Sequence, residues 1–173
     1  MEPGKESGAA RHRALVADFL AQRAIAVVGV TRGRESPATG IFKKLREAGY
    51  TVYPVNPHAM TFQGQVCYSS VRDVPDPLDG VVIVTRPDVT ELVVDECIER
   101  GVGRIWIHNM LGSHVRFGRG FSKSTSSASD AAIARAEAEG ITVIAGGCPL
   151  QHIPPVDAFH KCVFWVAERA GNY

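Results

Sequence analysis

Short apolar runs alternate with amphipathic segments along most of this chain, and this pattern restricts its fold more than any other feature. The runs are rich in valine and isoleucine, which is typical of strands buried on both faces of a sheet. They predict five strands, at Ala24–Val30, Thr51–Val55, Val81–Val84, Arg104–Ile107 and Ile141–Ile144.

Apolar residues recur at helical spacing between these runs, and proline or glycine marks several segment ends. Ser36 is the expected cap of one helix, with Pro37 in its first turn and Gly49 at its end. The other predicted helices are Arg11–Arg23, Pro87–Gly101, Asp130–Glu139 and the tail from Pro155. Such alternation predicts a doubly wound α/β domain, with a parallel five-stranded sheet and helices on both faces.

The length of 173 residues suits one domain, and neither a repeat nor a change in composition marks a boundary inside it. We therefore predict a single domain spanning residues 1–173. Within it, residues 1–23 are interpreted as a helical extension. Residues 112–129, rich in serine, glycine and arginine, are interpreted as a flexible loop.

Charge and hydropathy argue against several classes of partner. Lys and Arg number 19 against 18 Asp and Glu, so a net charge of +1 gives no support to nucleic-acid or membrane-surface binding. No apolar run approaches the ~20 residues of a membrane span. Without an apolar signal-peptide region near its N-terminus, the chain is predicted to be cytoplasmic. There we expect reduced core thiols and no metal site at Cys67, Cys97, Cys148 and Cys162.

Ligands of open parallel sheets bind beyond the carboxyl ends of the strands, so the residues that follow each run are the candidate binding residues. After the first run, a helix start can present free N–H groups to phosphate, beside hydroxyl and guanidinium side chains. The candidates there are Gly29, Val30, Thr31, Arg32, Arg34 and Ser36. The loops after the next three runs add Asn56, Pro57, Thr85, Arg86, Pro87, His108 and Asn109.

The glycines of the first loop do not match the common nucleotide-binding fingerprints. Gly29 and Gly33 do not form G-x-G-x-x-G, and Asn56 stands where a dinucleotide site has an acidic residue for the ribose hydroxyls. A Walker A motif is also missing from the sequence. A standard NAD site is therefore disfavoured, and a nucleoside-triphosphate site more strongly so.

Four short motifs together resemble those of the small bacterial CoA-binding protein family, which is related to the N-terminal CoA-binding domain of the succinyl-CoA synthetase alpha subunit. The motifs are VVGVT at 27–31, PVNP at 54–57, TRP at 85–87 and GGCP at 146–149. The resemblance runs from about Ile25 to the C-terminus. It implies a Rossmann-like domain that binds coenzyme A, with the first loop at the phosphates and the Asn56 and Arg86 loops around the nucleotide.

The sequence contains no convincing catalytic set, although Cys148 lies in a Gly-Gly-Cys-Pro turn that could expose a thiol. We therefore expect binding of CoA or an acyl-CoA without catalysis by this chain. The alternatives are a subunit of a CoA- or NAD(P)-dependent enzyme and a nucleotide-sensing regulatory protein. The acyl group, the protein partner and the oligomeric state are open at this point. A β-branched residue at Gly29 is expected to abolish binding and leave the fold intact.

Overall fold

A computed structural model describes residues 8–33, 35–110 and 127–171. The helices of these ranges are α1 (Gly8–Leu20), α2 (Pro37–Glu47), α3 (Pro87–Arg100), α4 (Asp130–Ala138) and α5 (Ala158–Arg169). The strands are β1 (Ala24–Val28), β2 (Thr51–Val55), β3 (Thr61–Phe62), β4 (Gln65–Val66), β5 (Gly80–Ile83), β6 (Arg104–Ile107) and β7 (Thr142–Ala145).

The main sheet has five parallel strands in the order β2-β1-β5-β6-β7, which confirms the predicted fold class. From β1 the chain moves outward to β2, and it then returns to the other side of β1 to form β5. The strand order therefore reverses between β1 and β5. Ligands of doubly wound sheets bind at such a switch point, so a site is expected beyond the carboxyl ends of β1 and β5.

Helices cover both faces of the sheet and produce two apolar cores. On one face, α1 and α2 pack over Val27, Val82 and Trp106, and the Trp106 ring meets Phe19 edge-on at 5.4 Å between centroids. On the other face, α3 and α4 pack over neighbouring strand positions such as Val28. Successive side chains of a strand point to opposite faces, so each strand contributes to both cores.

Several helix and strand boundaries differ from those predicted, most by a single residue. Helix α1 begins at Gly8 and ends at Leu20, three residues earlier at each end than expected. Strand β1 ends at Val28 rather than Val30, because Gly29 has a φ of +98° and turns the chain out of the sheet. The predicted loop 112–129 lies mostly outside the described residues.

The antiparallel hairpin β3–β4 was not predicted. Gln63 and Gly64 connect its strands, with φ angles of +49° and +78°. A two-residue turn of this kind needs positive φ at both positions, and glycine supplies it readily at the second. Because each strand has only two residues, the alternation of apolar and polar side chains is too short to predict it.

Three of the four cysteines are buried free thiols, as expected of core residues, but Cys162 is exposed and its prediction as a core thiol is wrong. Within the described ranges, none of the helices combines the length and the apolar character that crossing a membrane requires.

Candidate functional site

A cleft of about 790 Å³ opens at the carboxyl ends of four adjacent sheet strands. The loops after β1, β2, β5 and β6 form it, and one side of α3 closes it. Of the thirteen predicted site residues, those that line the cleft are Gly29, Thr31, Ser36, Asn56, Pro57, Thr85, Arg86 and His108. The cleft thus lies at the switch point, and it brings together residues from four predicted loops.

Gly29 has a structural task at the point where β1 turns toward α2. A Cβ atom at this position would lie 2.1 Å from the carbonyl oxygen of Val84, in the chain that continues β5. The Gly29 N–H donates to Val55 O at 3.0 Å, so it is already used. Gly29 therefore lets two strand ends approach each other. Val30, the next predicted residue, is fully buried in the core and does not line the cleft.

Three hydroxyls gather at the start of α2. Ser36 caps the helix, with its Oγ accepting from Thr39 N at 3.2 Å, and Thr31 Oγ1 donates to the same oxygen at 3.2 Å. The Thr39 hydroxyl lies 3.0 Å from Ser36 Oγ. The first turn of a helix carries N–H groups without helical partners and the positive end of the helix dipole. This end of the cleft suits an anion.

The Asn56 side chain ties the β2 loop to the β1 loop. Its Nδ2 donates to Val30 O at 2.5 Å, and its Oδ1 accepts from His58 N at 2.8 Å. The Asn56 backbone N–H also donates to Tyr68 O at 2.8 Å. Because both ends of the amide are engaged, Asn56 shapes the cleft wall by holding two loops at a fixed separation.

Replacing Asn56 by alanine is expected to lower the free energy of unfolding by about 1–3 kcal/mol, because the Val30 carbonyl and the His58 N–H lose their partner. Chemical denaturation measures this directly. His58→Ala is a suitable control, since the His58 side chain is exposed on the same loop. Equal stability of Asn56→Ala and the wild type would show that the loop connection contributes nothing.

The β5 loop combines a fixed threonine with an exposed arginine. Thr85 Oγ1 lies 2.8 Å from Thr90 Oγ1, which in turn donates to Arg86 O at 3.1 Å. The Arg86 side chain is 74% exposed and pairs with Asp88 at 3.2 Å. Exposed ion pairs contribute little energy, so this guanidinium is available to an anionic ligand at the rim. Pro87 occupies the first turn of α3 and lies outside the cleft lining.

His108 and Asn109 follow β6 and are both 3% exposed, but only His108 lines the cleft. Burial lowers the pKa of His108 to about 4, with a further lowering by the charge of His160. The imidazole is therefore neutral at pH 7. Asn109 instead continues the sheet, with its backbone N–H donating to Gly147 O at 3.2 Å.

The wall that α3 forms was not predicted as part of the site. Val89, Leu92 and Val93 present an apolar surface, and Leu92 is 64% exposed. Their helical spacing was recognised in the sequence, but periodicity alone does not separate a residue that packs in the core from one that lines a cleft. The other unpredicted lining residues include His58, Ser69, Glu96 and Ser127.

Arg32 lies in a second, smaller pocket rather than in the cleft. This pocket has a volume of about 410 Å³ and is lined by Thr31, Arg32, Gly33, Glu35, Thr39, Phe62 and Gln63. Thr31 lines both pockets, so the loop after β1 separates them. The predicted residue Arg34 lies outside the described residues.

The Gly-Gly-Cys-Pro turn does not expose the Cys148 thiol, in agreement with the prediction of Cys148 as a core residue. Cys148 is fully buried against the α1–α2 core, and burial raises the pKa of its thiol to about 12. Its backbone N–H donates to Gln151 Oε1 at 3.0 Å. A thiol that stays protonated and has no access to solvent is a poor nucleophile, so Cys148 acts here as a core residue.

The family of this chain is shown by comparison with known protein families. The model of a family described as "CoA binding domain" matches residues 23–154, which include the five-stranded sheet and every described cleft residue. This chain belongs to the CoA-binding domain family. The predicted resemblance is thereby confirmed.

The chain is also similar to parts of larger CoA ligases. It is 31% identical to an ADP-forming acetate–CoA ligase II of Archaeoglobus fulgidus over 87 residues, which are 49% of this chain and 13% of the ligase. It is 35% identical to the alpha subunit of such a ligase from Pyrococcus furiosus over 85 residues, 49% of this chain and 19% of that subunit. This chain thus matches less than a fifth of either relative.

Among solved structures, the fold is similar to that of a hypothetical protein from Pyrococcus horikoshii. The sequence identity is 27% and the TM-score is 0.65, covering 86% of this chain and 94% of the other. Nearly the whole of that protein therefore has the architecture described above for this chain.

Proposed function

We propose that this chain binds coenzyme A or an acyl-CoA in the cleft at the ends of β1, β2, β5 and β6. The observation that carries the proposal is the match of residues 23–154 to the CoA-binding domain family. The geometry supports it, since the cleft has an anion-binding end at α2 and an apolar wall at α3. In coenzyme A the pyrophosphate joins an adenosine 3′-phosphate to an uncharged pantetheine arm.

In this proposal the phosphates bind at the start of α2, where Thr31 and Ser36 supply hydroxyl groups. Arg86 approaches from the rim and adds a positive charge. Asn56 positions the loops, and Pro57 and Thr85 contribute contact surface. Positive potential is supplied locally in this way, so a chain with a net charge of +1 can hold a highly anionic ligand.

We further propose that this chain binds its ligand without catalysing a reaction by itself. Among the described residues that line the cleft there is no cysteine. The similarity to acetate–CoA ligases supports a second candidate, in which this domain presents CoA to a catalytic partner. A cytoplasmic location also stays a prediction.

Coenzyme A is expected to raise the melting temperature, because a ligand that binds only the native state stabilises it. At 100 times the dissociation constant the gain is about 2.7 kcal/mol. For a chain of this length that gain corresponds to roughly 5–10 °C. A thermal-shift panel of CoA, acetyl-CoA, NAD, NADP, ATP and AMP measures it.

A shift with NAD or ATP and none with millimolar CoA would contradict the proposal. Arg86→Ser tests the rim contact. We expect CoA to raise the melting temperature of this variant less than that of the wild type, while the melting temperature of the free protein is unchanged. Turnover of an acyl-CoA by the purified chain alone would favour an enzyme instead.

A further inference from the structure

His108 has a buried ring nitrogen that the fold leaves without a partner. The side chain is 3% exposed, and its Nε2 has no hydrogen-bond partner among the residues that the structure describes. The same residue lines the cleft, at the end of β6. Burying a polar atom without a hydrogen bond destabilises a folded protein, so such an atom in a cleft points to a ligand group that completes it.

The position of His108 relative to α2 indicates which part of a ligand it meets. Strands β1, β5 and β6 are neighbours in the sheet. Adjacent strands lie about 4.8 Å apart, so the loop after β1 and the end of β6 are separated by roughly 10 Å. Val84, which follows the intervening strand β5, lines the cleft together with the apolar side chains of Val89 and Val93. With the phosphates at α2 and the adenosine toward the β2 loop, the pantetheine arm extends toward His108.

We propose that His108 donates a hydrogen bond from Nε2 to a carbonyl oxygen of the pantetheine arm, an inference that rests on the proposed function. The acceptor is an amide carbonyl, or the thioester carbonyl when an acyl group is attached. A neutral imidazole has one N–H donor, and the neutral form prevails at pH 7 in this buried position. His108 then contributes to the distinction between coenzyme A and nucleotides without an arm.

The test compares His108→Leu and His108→Gln with the wild-type protein by calorimetric titration. The ligands are CoA, acetyl-CoA and adenosine 3′,5′-bisphosphate, which lacks the arm. For His108→Leu we expect roughly a three- to tenfold loss of CoA affinity. The affinity for the bisphosphate should change less than about twofold, and His108→Gln, which keeps an N–H donor, should recover part of the loss.

Stability provides an independent measurement. Since leucine removes a polar atom that lacks a partner, the melting temperature of ligand-free His108→Leu should equal or exceed that of the wild type. His152→Leu is the matched control, because His152 also has a buried Nε2 without a partner in the described structure but lies outside the cleft. Its CoA affinity should stay unchanged.

The affinities of His108→Leu for the three ligands identify the acceptor of the hydrogen bond or contradict the proposal. An equal loss of CoA and acetyl-CoA affinity assigns the bond to an amide carbonyl, and a larger loss for acetyl-CoA assigns it to the thioester. Wild-type affinity of His108→Leu for CoA, or proportional losses for CoA and the bisphosphate, would overturn the role of His108 alone. Failure of the wild-type protein to bind CoA would overturn the proposed function as well.

Discussion

Unfolding of this protein should become much easier as the pH falls from about 6.5 to about 4. His12, His108 and His152 are buried, and burial lowers the pKa of each from 6.5 to about 4. Glu168 partly opposes the shift at His12, whereas His12 adds to that at His152. In the unfolded chain all three regain ordinary pKa values and bind protons across this interval. Between these pH values the unfolded state therefore binds more protons than the folded state, and the free energy of unfolding decreases as the pH is lowered.

The expected loss is large compared with typical protein stability. The difference between a pKa of 6.5 and one of about 4 corresponds to at most about 3 kcal/mol for each histidine, and to less where solvent screens the charge. With three such groups, unfolding near pH 5 takes up almost three protons, which gives a slope of roughly 4 kcal/mol per pH unit. Urea denaturation at several pH values from 7.5 to 4.5 measures this slope.

The contribution of each histidine to the pH dependence is measured by replacing the histidines one at a time. His152→Leu should lower the proton uptake on unfolding by about one, and His108→Leu by the same amount. Asp79 contributes in a different interval. The hydrogen bond from the Ala24 backbone N–H lowers its carboxyl pKa, so its contribution is lost only at more acidic pH. A stability that stays constant between pH 6.5 and 4.5 would contradict these assignments.

The alternation of apolar runs was sufficient to predict the parallel sheet and the helices on both faces. The proline of β2, Pro54, is compatible with the position of that strand at the edge of the sheet. Boundaries were less certain because they depend on single residues. The left-handed conformation of Gly29 ends β1 earlier than its valine-rich sequence suggests.

The candidate site was predictable in its position but not in the role of each side chain. Strand order brings the loops together, and the residues after each apolar run follow from the sequence. Whether an amide such as that of Asn56 faces a ligand or joins two loops depends on contacts between residues 26 positions apart. The isolation of His108 Nε2 likewise depends on the packing around it and has no signal in the sequence.

Gly29→Ala is expected to destabilise the fold strongly. The φ of +98° is unfavourable for any residue with a Cβ, which costs about 1–3 kcal/mol. The Cβ would also lie 2.1 Å from Val84 O, in backbone that belongs to the neighbouring strand end, and relieving that overlap costs roughly another 1–3 kcal/mol. This geometry contradicts the expectation that a β-branched residue at Gly29 leaves the fold intact.

Gly33→Ala in the same loop is the matched control for this prediction. Gly33 has a φ of +79°, but a Cβ there would meet no atom within 4 Å, so only the conformational term applies. Chemical denaturation of the two variants should therefore place Gly29→Ala well below Gly33→Ala in free energy of unfolding. Equal losses would show that the chain around Val84 moves aside at little cost. In that case the close approach of the β1 and β5 ends would not explain why a glycine stands at the switch point.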